Sequence, residues 1–200
     1  MIEDIFDFSK GINLVYGEAA TGKTTLAMQL SGLIAERKRV VFIDSERGFS
    51  LDRFKQINPD YKKKLEKIFL LKVESFFEQH KAVDSLDKIK ELGLVVVDTL
   101  GMHYRTYVRE DYGSANRMMD KQFKTLQNLT RKNIPVLVTT QVYSDVESGE
   151  KNVKLLGGEM IRNWAGVVIR LNKNPRKIII EKPFKKDYNF QIWEKGVELE

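Results

Sequence analysis

The stretch GEAATGKT, residues 17–24, constrains this chain more than any other feature of its sequence. It fits the pattern G-x-x-x-x-G-K-[ST] and lies between an apolar run at residues 12–16 and a helix-like segment at residues 26–36. In a strand–loop–helix unit of this kind, the backbone N–H groups of the loop surround phosphate groups, and the glycines leave room for their approach. The sequence therefore predicts a nucleotide-binding loop at the end of a buried strand.

Two side chains at the end of this loop carry its chemistry. Lys23 is expected to direct its charge toward the β and γ phosphates, and the Thr24 hydroxyl is expected to bind Mg²⁺. The expected nucleotide-binding residues of the loop are Gly17, Glu18, Ala19, Ala20, Thr21, Gly22, Lys23, Thr24 and Thr25.

Length and composition limit the architecture. Two hundred residues with 42 % hydrophobic content are enough for one buried core and too few for two domains of usual size, so residues 1–200 are expected to form a single domain. No apolar run reaches the roughly 18 residues of a membrane span, and the acidic N-terminus does not resemble a signal peptide. We therefore expect no membrane partner and a cytoplasmic location.

Apolar, β-branched runs alternate with segments of helical periodicity along most of the chain. Continuous apolar strands separated by helices are typical of a parallel sheet that is covered on both faces. The predicted strands lie at residues 12–16, 40–44, 68–73, 94–98 and 134–142, and the predicted helices begin at 23, at 50 (as short pieces), at 77 and at 113. The helix from 77 is expected to reach 92. The segments 101–112 and 143–156 are expected to be irregular loops, and loops of that length are usually functional.

The C-terminal part of the chain follows another pattern. Apolar strands at residues 167–171, 177–182 and 189–194 are separated only by turn-like segments, which leave no room for crossover helices. Strands joined in this way pair antiparallel. The predicted fold is therefore α/β, a P-loop NTPase whose mostly parallel central sheet is flanked by helices and has an antiparallel C-terminal edge.

Acidic residues follow two of the predicted buried strands. Asp98 closes an apolar strand, the place where a second carboxylate would hold Mg²⁺ opposite Thr24. Glu46 follows the strand at residues 40–44, and because ligands bind at the carboxyl ends of parallel strands, it can reach the same crevice. We expect Thr24 and Asp98 to hold the metal and Glu46 to orient an attacking water. The alternative is that Asp44 and Glu46 only cap the next helix.

Residues 42–54, FIDSERGFSLDRF, resemble the segment F/Y-I-D-T-E-G-x-F-x-x-x-R of the RecA/RadA recombinase superfamily. The resemblance implies a RecA-type ATPase in which Glu46 is the catalytic carboxylate. It also implies that Arg53 lies beside the adenine, although an ordinary exposed helix arginine is the alternative.

Residues 136–142, VLVTTQV, are similar to the strand of this family that ends in a Gln sensing the γ-phosphate. That residue is Gln141 here, and Thr140 stands where the family has an Asn. The resemblance thus implies ATP and Mg²⁺ as cofactors, and its implied catalytic residues are Lys23, Glu46 and Gln141.

Residues 155–171 resemble the Gly-Gly turn, short helix and strand that follow the second DNA-binding loop of the family. Together with the short chain and its ending from residue 177, this segment is similar to the archaeal paralogues of RadA that consist of the ATPase core alone. RadA-like recombinases carry a helix-hairpin-helix domain and a docking linker before this core. In this chain, only sixteen residues precede the phosphate loop. We therefore expect no more than weak self-association.

The resemblance implies DNA contacts by two loops and by a basic tail. In the first loop, arginines alternate with Tyr104, Tyr107 and Tyr112, a mixture suited to phosphate contact and base stacking, and core packing of the tyrosines is the alternative. Seven basic residues and one acid lie between Arg170 and Lys186, a cluster that can hold a polyanion or form a solvated face. The expected DNA contacts are Arg105, Arg109, Arg117, Lys151, Lys154, Lys182, Lys185 and Lys186.

The expected function is that of an ATP- and DNA-binding protein of homologous recombination and DNA repair, with weak Mg²⁺-dependent ATPase activity and a mediator role. The implied partners are single- and double-stranded DNA, a RadA-like recombinase and a junction resolvase, and the implied location is the cytoplasm, in association with the nucleoid. The alternative is a KaiC-like or signalling ATPase that acts on protein partners, and absence of DNA binding at low salt would favour it.

Overall fold

The computed structural model of the protein describes residues 2–144, 153–155 and 158–200. The strands are β1 (Asn13–Gly17), β2 (Arg39–Asp44), β3 (Ile68–Lys72), β4 (Leu92–Asp98), β5 (Val136–Ser144), β6 (Val153–Leu155), β7 (Val167–Lys173), β8 (Arg176–Lys182), β9 (Lys186–Trp193) and β10 (Gly196–Leu199). The helices are α1 (Lys23–Ile34), α2 (Leu51–Ile57), α3 (Tyr61–Leu65), α4 (Phe76–Asp84), α5 (Gly101–Glu110), α6 (Tyr112–Arg131) and α7 (Gly158–Trp164).

One sheet organises these elements, with the strand order β10-β9-β8-β7-β1-β5-β4-β2-β3 and with β6 paired to β5. The strands from β7 to β3 in this order pair in parallel, whereas β8, β9 and β10 pair antiparallel. The predicted α/β fold with an antiparallel C-terminal edge is therefore confirmed. None of the helices in the described ranges is both long and apolar enough to cross a bilayer.

The central strands are buried on both faces, as their continuous apolar sequences predict. Every residue of β1 and of β4 is buried. Leu14 and Tyr16 face a core that includes side chains of α4 to α7, while Val15 faces the opposite core with α1 and α2. Because each buried aliphatic side chain contributes about 1.5–3 kcal/mol, these two cores hold the strand ends that form the site in fixed positions.

Residues 101–110 form helix α5, where the sequence predicted an irregular loop. Tyr104 is 8 % exposed and packs on the core from one side of this helix. Asp111 has an extended backbone that ends α5, and its carboxylate accepts a hydrogen bond of 2.9 Å from the Ser114 N–H to begin α6. The two helices are thus separated by one capping residue, and the prediction of a loop was wrong.

Two other boundaries differ from the prediction. The helix expected at residues 77–92 ends at Asp84, because the chain turns there to bury Leu86 in a short 3-10 segment. The last strand, β10, was not predicted. In the segment at 143–156, β5 extends to Ser144 and β6 pairs antiparallel with it, while the remaining residues of the segment lie outside the described ranges.

Candidate nucleotide site and nucleic-acid contacts

Four parallel strands bring functional residues to one edge of the sheet. Gly17 at the end of β1 lies opposite Gln141 of β5, and Asp44 at the end of β2 lies opposite Asp98 of β4. The loop from residue 17 to the start of α1 occupies the same edge. The structure therefore brings together the residues that were predicted from separate motifs.

The path of the loop requires the two glycines of its motif. A Cβ atom at Gly17 would lie 2.4 Å from the carbonyl oxygen of Leu171, and Gly22 has a φ of +102°. Glu18, Ala19 and Ala20 are exposed at the turn of the loop. The exposed backbone of these three residues is thus accessible to a ligand.

Lys23 is held inside the loop. Its side chain is 6 % exposed, and its Nζ donates hydrogen bonds of 3.0 Å to the Gly17 oxygen and 2.8 Å to the Glu18 oxygen. Burial lowers the pKa of Lys23, and the nearby carboxylates of Asp98 and Glu46 partly oppose this. A polyanion in the loop would favour the charged ammonium group, so the position of Lys23 fits phosphate binding.

The two predicted metal ligands are in contact. The Thr24 hydroxyl donates a hydrogen bond of 2.7 Å to Asp98 Oδ2, and the Thr139 hydroxyl donates to Asp98 Oδ1. Asp98 is 1 % exposed, and burial raises its pKa, although both hydroxyl hydrogen bonds act in the other direction. A hydroxyl and a carboxylate side by side are the type of oxygen ligands that Mg²⁺ binds.

Both carboxylate oxygens of Glu46 accept hydrogen bonds. Thr99 Oγ1 donates to Oε1 over 2.8 Å, and Gln141 Nε2 donates to Oε2 over 2.7 Å. The predicted catalytic carboxylate and the predicted phosphate sensor are thus direct partners. Thr99 was missed by the sequence analysis, and its place directly after Asp98 is the only signal that could have identified it.

The capping role belongs to neighbours of Glu46. Asp44 accepts 3.0 Å hydrogen bonds from the N–H groups of Gly48 and Phe49, and Ser50 caps α2 by accepting from Arg53 N. Glu46 has neither of these roles. Its carboxylate is therefore directed toward the strand ends.

Arg53 has protein partners at the same edge. Its guanidinium donates to the backbone oxygens of Trp193 (2.6 Å), the last residue of β9, and Glu194 (3.1 Å), in the turn before β10. That hairpin reaches the phosphate loop, since a Cβ at Gly22 would lie 2.7 Å from Cδ1 of Ile192. Arg53 thus lies on the hairpin side of the loop, and its predicted contact with adenine stays a prediction.

The predicted first DNA-binding segment separates into buried and exposed side chains. The Tyr104 hydroxyl donates a 2.7 Å hydrogen bond to Asn116, and the Tyr107 ring packs at 5.8 Å from that of Phe76. Tyr112, in contrast, is 73 % exposed. Of the three tyrosines, Tyr112 is therefore the one with most of its surface free for stacking on a base.

The predicted basic contacts have different environments. Arg105, Arg109 and Arg117 are exposed on α5 and α6, and Arg117 also donates to Ser114 Oγ over 2.9 Å. Lys154 lies on β6, opposite Tyr143, and Lys151 lies outside the described residues.

The basic tail forms a wall of a surface cavity of about 570 Å³. Lys185 and Lys186 line it together with Arg162 and Arg170, whereas Lys182 Nζ donates to the Ala165 oxygen. Arg162 was missed by the sequence analysis, because its place in α7 gives no local sign of its contact with the distant tail.

A partly buried chain of polar groups joins the tail to the phosphate loop. The Tyr16 hydroxyl donates a 2.8 Å hydrogen bond to Glu181 Oε1, and Arg162 Nη1 lies 2.8 Å from Glu181 Oε2. Burial, together with Glu181, raises the pKa of Tyr16 to about 12. The residue before Gly17 is thus tied to β8 and α7.

Comparison with known proteins now identifies the family. The Rad51 family model matches residues 7–198. The chain belongs to the Rad51 family. It is 37 % identical over 204 residues to the DNA repair and recombination protein RadB of Thermococcus sibiricus, which covers 94 % of this chain and 87 % of that protein. The RadB of Methanococcoides burtonii is 34 % identical over 174 residues, which cover 83 % of this chain and 76 % of that protein.

A solved structure gives the same result for the fold. The crystal structure of the RadB recombinase matches with a TM-score of 0.78 and 30 % identity, covering 94 % of this chain and 90 % of that one. The predicted resemblance to the RecA/RadA superfamily, and within it to the RadA paralogues made of the ATPase core, is confirmed.

The site of this Rad51-family chain fits the cofactors that the family uses, a nucleotide and Mg²⁺. The loop offers its backbone to phosphates, and Thr24 and Asp98 offer two oxygen ligands. In the described part of the chain, no group of three or more His, Cys, Asp or Glu side chains could hold a metal. Mg²⁺ is usually held by one or two carboxylates together with waters and phosphate oxygens, and the place of Thr24 and Asp98 beside the phosphate loop fits that type of site.

Proposed function

We propose that this chain is an ATP- and DNA-binding protein of homologous recombination and DNA repair, the processes that the names of its RadB relatives state for those proteins. The observation that carries the proposal is the contact set at one sheet edge, in which Thr24 meets Asp98 and Glu46 meets Gln141 beside the phosphate loop. The partners proposed are single- and double-stranded DNA.

The nucleotide would be held by the loop residues Gly17 to Thr25. Backbone N–H groups would bind the phosphates, Lys23 would exchange its two carbonyl partners for phosphate oxygens, and Thr24 with Asp98 would hold Mg²⁺. Bound there, Mg²⁺ would neutralise phosphate charge. Arg53, on the hairpin side of the loop, would lie beside the adenine.

Hydrolysis would depend on Glu46, which would orient the attacking water. Its two oxygens already accept one hydrogen bond each, from Thr99 and Gln141, so fewer acceptor positions are left to hold a water at Glu46. This supports weak Mg²⁺-dependent ATPase activity, with ATP acting mainly as a conformational ligand. A phosphate that attracts the Gln141 amide would release Glu46 and bias β5, which continues toward the second predicted DNA loop.

DNA would bind at basic side chains beyond this edge. The proposed contacts are Arg105, Arg109, Arg117, Lys151, Lys154, Lys182, Lys185 and Lys186, with Tyr112 available for stacking. We further propose that residues 1–200 form one domain in the cytoplasm, associated with the nucleoid. The proposed protein partners are a RadA-like recombinase and a junction resolvase, with weak self-association.

The experiment that tests this function measures phosphate release from ATP with and without single-stranded DNA, at two salt concentrations, for the wild-type protein and Glu46→Gln. We expect slow turnover that Glu46→Gln abolishes, and DNA binding that weakens as salt rises. Absence of DNA binding at low salt would contradict the proposal and favour an ATPase that acts on protein partners.

A further inference from the structure

The opposite edge of the sheet, where the parallel strands begin, carries a second set of basic residues. Six exposed side chains lie in the loops before β2, β4 and β5 or on the residues that border these loops, and we name them the basic strip: Arg37, Lys38, Arg39, Lys88, Lys90 and Arg131. None of the six forms an ion pair with any residue in the ranges that the structure describes. Their charges are therefore not neutralised within this part of the protein.

Contacts between the three loops make the strip continuous. Arg39 Nη1 donates a 3.3 Å hydrogen bond to the Lys90 oxygen, and Lys38 packs on β4, since a Cβ at Gly93 would lie 2.4 Å from Lys38 Cβ. The ion pair between Lys132 and Asp87, at 2.8 Å, joins the loop before β5 to the loop before β4. Because neighbouring strands lie about 4.8 Å apart, the three loops span roughly 10 Å before the reach of the side chains is added.

The acidic side chains at this edge do not neutralise the positive charge of the strip. Asp87 is paired with Lys132, and Glu36 is paired with Lys64 at 3.2 Å, so both are bound to lysines outside the strip. Glu66 and Glu91 are the other exposed acids close to these loops. Six basic side chains that form no ion pair thus leave a clear excess of positive charge.

We propose that the basic strip binds the sugar–phosphate backbone of double-stranded nucleic acid. The inference rests on the proposed function and adds a second contact surface to it. Sites for single strands combine positive charge with aromatic side chains on which bases stack. The exposed aromatic side chain beside the strip is Phe69, which is 43 % exposed and has the Arg39 guanidinium 6.0 Å from its ring centroid. A surface with six basic side chains, and with its exposed aromatic ring already in contact with one of them, offers mainly charge and fits a duplex.

The strip is remote from the nucleotide site. β4 has seven residues, so at about 3.3 Å per residue its two ends lie roughly 20 Å apart. A duplex on the strip does not reach the phosphate loop, and its binding does not require ATP. The strip therefore holds duplex nucleic acid whether or not the other edge is occupied.

The test is fluorescence anisotropy of a labelled duplex oligonucleotide without nucleotide, over a series of salt concentrations. The test variant combines Arg37→Gln, Lys38→Gln, Lys88→Gln and Lys90→Gln. The control variant removes the same charge from the carboxyl side of the sheet, from α2 and from the turn between β9 and β10, by Arg47→Gln, Lys55→Gln, Lys72→Gln and Lys195→Gln, all at exposed or partly exposed positions. Because all four strip residues are exposed, circular dichroism should show an unchanged fold.

We expect the strip variant to bind the duplex at least about tenfold more weakly, and the slope of log K against log salt to fall by about 3 to 4, since each phosphate contact contributes about 0.9. The control variant should remain within about twofold of wild type. Equal losses in both variants, or no loss in the strip variant, would overturn the proposal.

A third variant separates this inference from the proposed function. If Lys182→Gln, Lys185→Gln and Lys186→Gln together remove duplex binding while the strip variant retains it, the strip proposal fails and the proposed function stands. If the wild-type protein binds no nucleic acid at low salt, with or without ATP, both fail.

Discussion

The two edges of the parallel sheet are built from the same strands and use charge in opposite ways. At the carboxyl ends, Lys23 and Asp98 are buried, and their polar atoms are bound by other groups of the site. At the amino ends, Lys38 and Lys90 are exposed and form no ion pair within the described ranges. A buried polar group is costly unless it is hydrogen-bonded, whereas an exposed charge keeps its hydration. The first edge is therefore suited to a small ligand in fixed geometry and the second to a salt-sensitive polyanion.

The largest expected effect comes from Lys23→Ala. The variant loses the cation of the phosphate loop, so the Kd for ATP should rise at least about a hundredfold, equivalent to about 3 kcal/mol. The matched control is Lys38→Ala at the amino edge, which should leave ATP affinity unchanged. Isothermal titration calorimetry checks both values. Retained micromolar affinity in Lys23→Ala would contradict the assignment of the site.

Asp98→Asn should have the next largest effect. It removes the carboxylate proposed to hold Mg²⁺, so the increase in ATP affinity that Mg²⁺ causes should fall by about tenfold or more. Asp87→Asn, at the amino edge, is the control and should preserve that increase. Titrations of ATP with and without Mg²⁺ give both numbers, and an unchanged Mg²⁺ dependence in Asp98→Asn would exclude Asp98 as a metal ligand.

Asp98→Asn also changes the pH dependence of stability. The pKa of Asp98 in the folded protein is raised above its ordinary value of 3.8, so the carboxyl ionises more readily in the unfolded state. The wild-type protein therefore loses stability as pH rises from 3.8 through the folded pKa. Asn has no such ionisation. The free energy of unfolding of the variant, relative to wild type, should therefore increase with pH above about 4, as urea denaturation at several pH values would show.

Gln141→Ala should have a smaller effect on ligands. It frees Glu46 Oε2 and removes the proposed sensor, but it leaves the loop and Lys23 in place. ATP affinity should change by less than about threefold, whereas the difference in DNA affinity between the ATP-bound and nucleotide-free states, several-fold in typical coupled sites, should disappear. A variant that keeps this nucleotide dependence would show that Gln141 does not couple the two ligands.

The parts of the site that could be predicted from sequence are those fixed by local backbone rules. The phosphate loop requires Gly17 and Gly22 at set positions, and Asp98 had to lie at the loop because parallel strands end at one edge. Burial follows equally directly from the continuous apolar strands. These features depend on neighbouring residues along the chain, and the sequence shows those neighbours.

The parts that could not be predicted depend on residues far apart in the chain. Tyr16 and Glu181 are separated by 165 positions, and neither carries a local sign of the other. The basic strip arises in the same way, because its loops become neighbours only through the strand order. Helix α5 was missed for a local reason, since Asp111 caps the next helix after a single residue and Tyr104 is drawn into the core.

Tyr16→Phe should change ligand binding least. It tests whether the hydrogen-bonded network at the carboxyl edge extends beyond the phosphate loop to Glu181. The change removes the hydrogen bond to Glu181, which keeps Arg162 as its partner, so the free energy of unfolding should fall by about 1 kcal/mol at neutral pH and ATP affinity should change by less than about twofold.

The raised pKa of Tyr16 gives this variant a second readout. An unfolded phenol ionises near pH 10.0, whereas the folded one stays protonated up to about pH 12, so its contribution to stability is complete below pH 10 and is lost as pH rises through about 12. Wild type should therefore lose stability relative to Tyr16→Phe across this window, by an amount on the order of 2 kcal/mol. Urea denaturation at pH 9 and at pH 11.5 measures the difference, with Tyr112→Phe as the exposed control. Parallel pH profiles for wild type and Tyr16→Phe would mean that neither burial nor Glu181 raises the pKa of Tyr16, and that the phenol does not extend the network of the nucleotide edge.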